Sequence, residues 1–164
     1  MLRVLRRLMV TFLDDDDVYL PNKISHVMNV FDKYSDLGFY HHNHGLINEE
    51  GIELLCTKEL QYYCDKNLNK HIYLKKHKEL SDIKAIIKYD KNLMDPFYWL
   101  GFNSSSIVIR RDLILSYIDD LRKLYYAQDN LYLLLALASQ YSVMHDPTIL
   151  SYYRIHAMQY VGRI

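Results

Sequence analysis

The apolar run Leu8-Met9-Val10-Thr11-Phe12-Leu13 passes directly into four consecutive aspartates, Asp14 to Asp17. An apolar, β-prone run of this length predicts a strand buried on both faces, as in a parallel sheet. Polar ligands of open α/β sheets bind just beyond the carboxyl ends of such strands. Two carboxylates about 6 Å apart repel by roughly 3 kcal/mol at an effective dielectric near 20. Four in a row therefore need water, a cation or raised pKa values to coexist. Two readings follow: a hard divalent cation that carries a phosphate, or a solvated acidic loop that caps the next helix.

The 164 residues suffice for one core and are too few for two comfortable domains. The expected organisation is a single unit, with a strand, helix and hairpin over 1–56, a variable segment over 57–95 and a final region over 96–164. Twenty basic side chains balance twenty acidic ones, which argues against nucleic acid as the main partner. Sixteen tyrosines suit half-wet surfaces such as a sugar-stacking face or an interface, and compositional bias explains them equally. Cys56 and Cys64 have neither metal-finger spacing nor the pattern of a disulfide framework, so free thiols of a reducing compartment are expected. The opening Met1 to Arg7 lacks the long apolar centre of a signal peptide, and Leu131 to Ala138 is far short of a membrane span. The expectation is a cytoplasmic chain, at most peripheral at a membrane.

Ile24, Val27, Met28 and Phe31 recur at helical spacing after Pro21, predicting an amphipathic helix to about Tyr34. Leu37-Gly38-Phe39-Tyr40 begins a strand, Asn48 to Gly51 reads as a turn, and Ile52 to Leu55 as a returning strand. Residues 57 to 90 are Lys-, Asn- and Tyr-rich, with weak helical periodicity. Ser106 to Ile109 predicts a strand, Arg111 to about Leu124 a helix, and Gln128 onward a second helix. Val143 to His145 and Ile149 to Tyr153 read as short strands around an Asp146-Pro147 turn. Strands alternating with helices imply an α/β fold, a mixed sheet flanked by helices. His42 and His44 share a strand face, a weak pattern for zinc with no third ligand at a firm spacing.

Four stretches in order carry a resemblance. They are Phe12 to Asp17 with Leu20-Pro21-Asn22-Lys23, the Tyr40 to Gly51 hairpin, Ser105 to Arg111, and Gln128-Asp129 followed by Tyr153-Arg154-Ile155-His156. Together they resemble the second part of a family-two glycosyltransferase of the GT-A fold. The resemblance implies a truncated GT-A (nucleotide-diphospho-sugar transferase-like) sheet and an inverting transfer from a nucleotide-sugar donor to an acceptor hydroxyl. The acceptor would be a glycan, lipid or protein.

Aligned on Phe12-Leu13, the family's Asp-x-Asp element (the DXD motif) falls on Asp14 and Asp16. The resemblance makes these the ligands of Mg²⁺ or Mn²⁺, with Asp14 also at the donor; a register off by one would bring in Asp15 or Asp17. Magnesium or manganese would offset both the carboxylate repulsion and the charge of the departing diphosphate. The family's Glu-Asp pair reads Gln128-Asp129 here, making Asp129 the expected general base, against the alternative of a helix N-cap. The change to Gln128 removes a neighbouring charge. Arg154 and His156 match an Arg-x-His element at the diphosphate; the bland reading is a surface pair. Trp99 and Gly101 fall where the family receives its acceptor, although a sole Trp is more often core.

Family members precede the aspartate strand with a nucleotide-binding βαβ half, and thirteen residues precede Asp14 here. The expectation is a truncated or split enzyme whose aspartate strand presents an open edge to a partner chain or a second copy. The rival expectation is a non-catalytic glycosyltransferase-like remnant or subunit that keeps the fold and pairs through that edge.

Overall fold

The computed structural model describes residues 9–58, 60, 63, 72–74, 98–123, 128–139 and 141–156. They form a mixed sheet of seven strands with helices packed on it. The strands are β1 (Met9–Thr11), β2 (Val18–Tyr19), β3 (Leu37–Ile47), β4 (Glu53–Leu54), β5 (Ile72–Leu74), β6 (Ile107–Arg110) and β7 (Ser142–Arg154). The helices are α1 (Lys23–Lys33), α2 (Arg111–Ser116), α3 (Ile118–Leu121) and α4 (Gln128–Ala138). The order across the sheet is β1-β6-β3-β7-β2, with β4 beside β3 and β5 beside β7.

Side-chain alternation divides the core into two layers. Phe39, Ile107, Ile109 and Val143 face a layer with Leu113, Leu121, Leu133 and Ala136 from α2, α3 and α4. Their strand neighbours Tyr40, Val108 and Met144 face the other way and pack with Val27 and Phe31 of α1. Helices on both faces bury the central strand β3 along almost its whole length. Such a sheet is the α/β architecture expected.

The direction of the strands builds one functional end. β3 and β7 run parallel, and both β1 and β3 run antiparallel to β6. The carboxyl ends of β1, β3 and β7 therefore lie at the end of the sheet where β6 begins. Thr11 pairs with Val108 and Ile47 with Arg154. The loop after β1 thus meets the turn before β6 and the last residues of β7.

Several local expectations change. β1 is a half-buried strand of three residues, antiparallel to its neighbour, not a strand buried on both faces in a parallel setting. Phe12 leaves the ladder to stack on Tyr132 at 4.8 Å, and Leu13 is 52% exposed. Helix α1 begins at Lys23, and its buried stripe is Lys23, Val27 and Phe31, whereas Ile24 and Met28 face solvent. The expected helix from Arg111 breaks at Tyr117 into α2 and α3.

The two short strands read around Asp146-Pro147 are one strand, β7. Asp146 pairs with His42 and Ile149 with Asn43, so residues 147 and 148 form a bulge. The Asp146 carboxylate accepts from Thr148 N at 2.9 Å and Thr148 Oγ1 at 2.6 Å, satisfying the bulge internally. The hairpin turn after β3 is as read: Gly51 N donates to Asn48 O, and Gly51 takes φ +81°. Most of residues 57–95 lies outside the described residues, apart from β5, which adds to β7. Cys56 is disulfide-bonded, not the free thiol expected.

Candidate functional site

The aspartate loop is held by groups far away in sequence. Asp14 N donates to Ser105 Oγ at 3.0 Å, and Asp17 N donates to Asp14 O at 3.2 Å. Asp17 is buried and accepts from Arg154 N at 3.0 Å. Burial raises its carboxyl pKa, against the lowering by hydrogen bonds from Ser105 and Arg154. Asp17 is thus the internal anchor of the run. Asp15 is exposed. Asp14 lies at the rim, and its carboxyl is pushed up to about 6, first by burial and then by the charges of Asp17, Asp129 and Asp16.

Asp129 is the second residue of α4 and does not act as an N-cap. Its carboxylate reaches outside its own helix to Ser104, whose Oγ lies 2.9 Å from Oδ1 and 2.9 Å from Oδ2. Burial raises the Asp129 pKa, and hydrogen bonds from the Ser104 side chain and backbone oppose the rise. The same Ser104 hydroxyl lies close enough to the Asp14 carboxyl to lower its pKa. Asp14 and Asp129, 115 residues apart, therefore stand on either side of one serine.

The carboxyl end of β7 closes the site. His156 Nε2 is hydrogen-bonded to Asp16 Oδ2 at 2.9 Å. Arg154 is occupied differently from the expected diphosphate contact. Its Nε donates to Asp16 O at 2.7 Å, and its Nη1 donates to Asn48 O at 2.8 Å and Glu49 O at 2.9 Å. The guanidinium stitches the aspartate loop to the turn after β3. Among the described residues this arginine acts as a brace.

Two further expectations meet the structure in part. Trp99 lies in a 3-10 turn, Tyr98–Gly101, and its side chain lies outside the described residues. Gly101 is buried against the first turn of α4, where an added Cβ would stand 2.0 Å from Asn130 Oδ1. That close approach accounts for a glycine at this position by packing alone.

The sequence reading missed four holding groups, Asn103, Lys23, Ser104 and Ser105. Asn103 adopts φ 68° and accepts from Ser105 N through its side chain at 2.8 Å, shaping the turn Ser104–Ser106. Lys23 is fully buried; its ammonium donates to Ser105 O and lies 3.6 Å from the centre of the Tyr19 ring. Burial lowers its pKa to about 7, with Asp17 opposing. The available signal was the spacing of Lys23, Val27 and Phe31, which puts the lysine on the buried stripe. Three serines directly before a strand that starts beside the aspartates were the signal for Ser104 and Ser105.

The histidines of β3 form no cage. His44 Nε2 is bonded to Tyr63 O at 2.9 Å, His42 Nδ1 to Asn43 O at 2.8 Å, and His41 Nδ1 to His145 Nδ1 at 2.9 Å. Among the described residues no three His, Cys, Asp or Glu side chains are arranged to hold a metal ion by themselves. A magnesium-type ion needs only one or two carboxylates when phosphate and water fill its remaining positions. The donor set suits such an ion: the carboxylates are hard oxygen ligands, and Asp14 stands under mutual repulsion from three other aspartates. Among the described residues no helix is long and apolar enough to cross a membrane.

No protein-family model matches this chain, and comparison with curated proteins gives no match either.

Proposed function

We propose that this chain is the catalytic segment of a metal-dependent, inverting glycosyltransferase that moves a sugar from a nucleotide-sugar donor to an acceptor hydroxyl. One observation supports it above the others. Asp14, Asp16, Asp129 and His156, singled out by resemblance from opposite ends of the chain, converge through Ser104 and the Asp16–His156 hydrogen bond.

In this reading Asp14 and Asp16 hold Mg²⁺ or Mn²⁺, with Asp14 also at the donor. The ion, when bound, neutralises charge on the departing diphosphate. Asp129 takes the proton of the acceptor hydroxyl on a carboxylate oxygen. Burial raises its pKa, which strengthens it as a base at neutral pH. The Ser104 hydroxyl and backbone N–H both donate to the Asp129 carboxylate, whose two oxygens have about four lone-pair sites and so keep room for the acceptor hydroxyl. Arg154 holds the loop, and His156 orients Asp16 from the diphosphate side. Trp99 and Gly101 lie next to the turn that carries Ser104, on the acceptor side of the proposed site.

A second reading is a glycosyltransferase-like subunit without turnover that pairs with another chain. It draws on the position of β1, which has β6 as its one strand neighbour among the described residues.

Donor hydrolysis and nucleotide binding test the first reading. A panel of UDP- and GDP-sugars is offered with Mn²⁺ and again with a chelator. The enzyme reading expects hydrolysis of one donor class and loss of both binding and hydrolysis on chelation. Absence of metal-dependent nucleotide binding across the panel contradicts it.

A further inference from the structure

The turn Asn103–Ser106 uses its hydroxyls in an ordered way. Ser104 Oγ takes the two oxygens of Asp129 at 2.9 Å each, and Ser105 Oγ accepts Asp14 N at 3.0 Å. Ser106 Oγ lies 3.4 Å from His44 Nδ1 on the central strand. From below, the buried Lys23 ammonium grips Ser105 O, and Ser106 N donates to Asn103 O at 2.9 Å. Neighbouring residues of one pinned turn therefore hold the aspartate loop on one side and the α4 carboxylate on the other. An aspartate side chain has two torsions to fix, and an unheld carboxylate near the mouth of a site samples several rotamers.

We propose that Ser104 is a positioning residue: its hydroxyl fixes the Asp129 carboxylate at a set distance from the aspartate loop, so that the base meets the acceptor oxygen only while this hydrogen bond is made. The role rests on the glycosyltransferase reading for its chemistry and on the turn for its geometry. Misplacing a catalytic group by about 1 Å costs on the order of a hundredfold in rate. Ser104→Ala removes the hydroxyl and leaves the pinned backbone of the turn. It should therefore lower kcat far more than it changes the donor KM, because the loop that carries Asp14 stays held by Ser105, Lys23 and Arg154. Ser104→Thr keeps the hydroxyl and should restore the rate.

The experiment compares the whole chain with Ser104→Ala and Ser104→Thr, using whichever nucleotide sugar of the panel the unchanged protein turns over with Mn²⁺. The expected result is a fall in kcat of about ten- to a hundredfold for the alanine variant, donor KM within about twofold, and recovery to within about threefold for the threonine variant. An unchanged kcat for Ser104→Ala overturns the proposal. So does a joint change of KM and kcat that threonine does not restore, which is the mark of a general structural role.

If the unchanged protein turns over no donor, the functional reading is what fails, and Ser104 is judged on the protein alone. In a double-mutant cycle of Ser104→Ala with Asp129→Ala, coupling of about threefold or more in the unfolding constant upholds the fixed contact. Strict additivity overturns it.

Discussion

His156 Nε2 stands 2.9 Å from Asp16 Oδ2, across 140 residues of sequence. This pair ties the last described segment of the chain to the aspartate loop, and it occupies one oxygen of a proposed metal ligand. Both side chains are mostly but not fully covered, so the pair has the modest worth of a partly exposed interaction. A cation arriving at Asp16 must compete with it. His156→Ala should tighten binding of Mn²⁺ alone by about fivefold, the equivalent of roughly 1 kcal/mol, and weaken binding of Mn²⁺ with a nucleoside diphosphate. Isothermal titration reads both. An unchanged affinity for Mn²⁺ alone would remove Asp16 from the ion's ligands.

Arg154 leads to a different expectation. Arg154 donates to the carbonyls of Asp16, Asn48 and Glu49. A lysine has the charge without the planar fork that spans these acceptors. Arg154→Lys should destabilise the fold by about 1–3 kcal/mol through unsatisfied carbonyls, measured by urea unfolding. A loss of nucleotide affinity with unchanged stability would instead return the guanidinium to the diphosphate.

Asp14 sets a pH dependence opposite in sign to that of a salt-bridged aspartate. Its pKa of about 6 lies above the ordinary value of 3.8, so between these values the folded state binds the proton that the unfolded state releases. The contribution of Asp14 to stability therefore falls as pH rises from about 4 to 6, against the opposite trend set by the buried His41 and His42, whose pKa values are lowered. Asp14→Asn removes this contribution, so the midpoint of the unchanged protein relative to the variant should fall between pH 4 and 6. Mn²⁺ should raise the midpoint of the unchanged protein at pH 7.5 and leave it unaffected at pH 4.5, where the carboxyl holds its proton. A midpoint difference, unchanged protein minus Asp14→Asn, that climbs from pH 4 to 6 would contradict the clustering of these carboxylates.

What the sequence revealed and what it hid have a common physical origin. Strand β3, the Asn48 to Gly51 turn, β6 and α4 were legible because alternation, turn residues and helical spacing are local properties. Asp14, Asp16, Asp129 and His156 were singled out from their order along the chain, and the fold brings them to one end of the sheet. Lys23 was not, because its acceptor, Ser105 O, lies 82 residues away. A lysine reads as a solvated head until that partner is known. Asp146-Pro147 read as a turn because the pair favours one, and the bulge hydrogen bonds from Thr148 keep it inside a strand. Arg154 was singled out from the sequence, yet its contacts with the aspartate loop and the β3 turn required the fold.

Gly101 separates a packing role from an acceptor role. A Cβ there would stand 2.0 Å from Asn130 Oδ1 and 2.9 Å from Asn130 Cα, and the second of these is backbone that cannot swing aside. Gly101→Ala should cost about 1–3 kcal/mol as α4 is pushed outward, read by chemical unfolding. Unchanged stability with a weakened acceptor KM would give the glycine to the acceptor.

The central claim is that Asp129 removes the proton of the acceptor hydroxyl at a site whose nucleotide and metal are held by the aspartate loop. Sugar transfer by the unchanged chain and by Asp129→Asn, with the nucleotide-sugar panel and Mn²⁺, tests it most directly. The account predicts transfer that falls by at least about a hundredfold in the variant, the usual weight of a general base, with affinity for Mn²⁺ and nucleotide retained. Equal transfer by the two proteins, or no transfer by the unchanged chain with any donor, would contradict it.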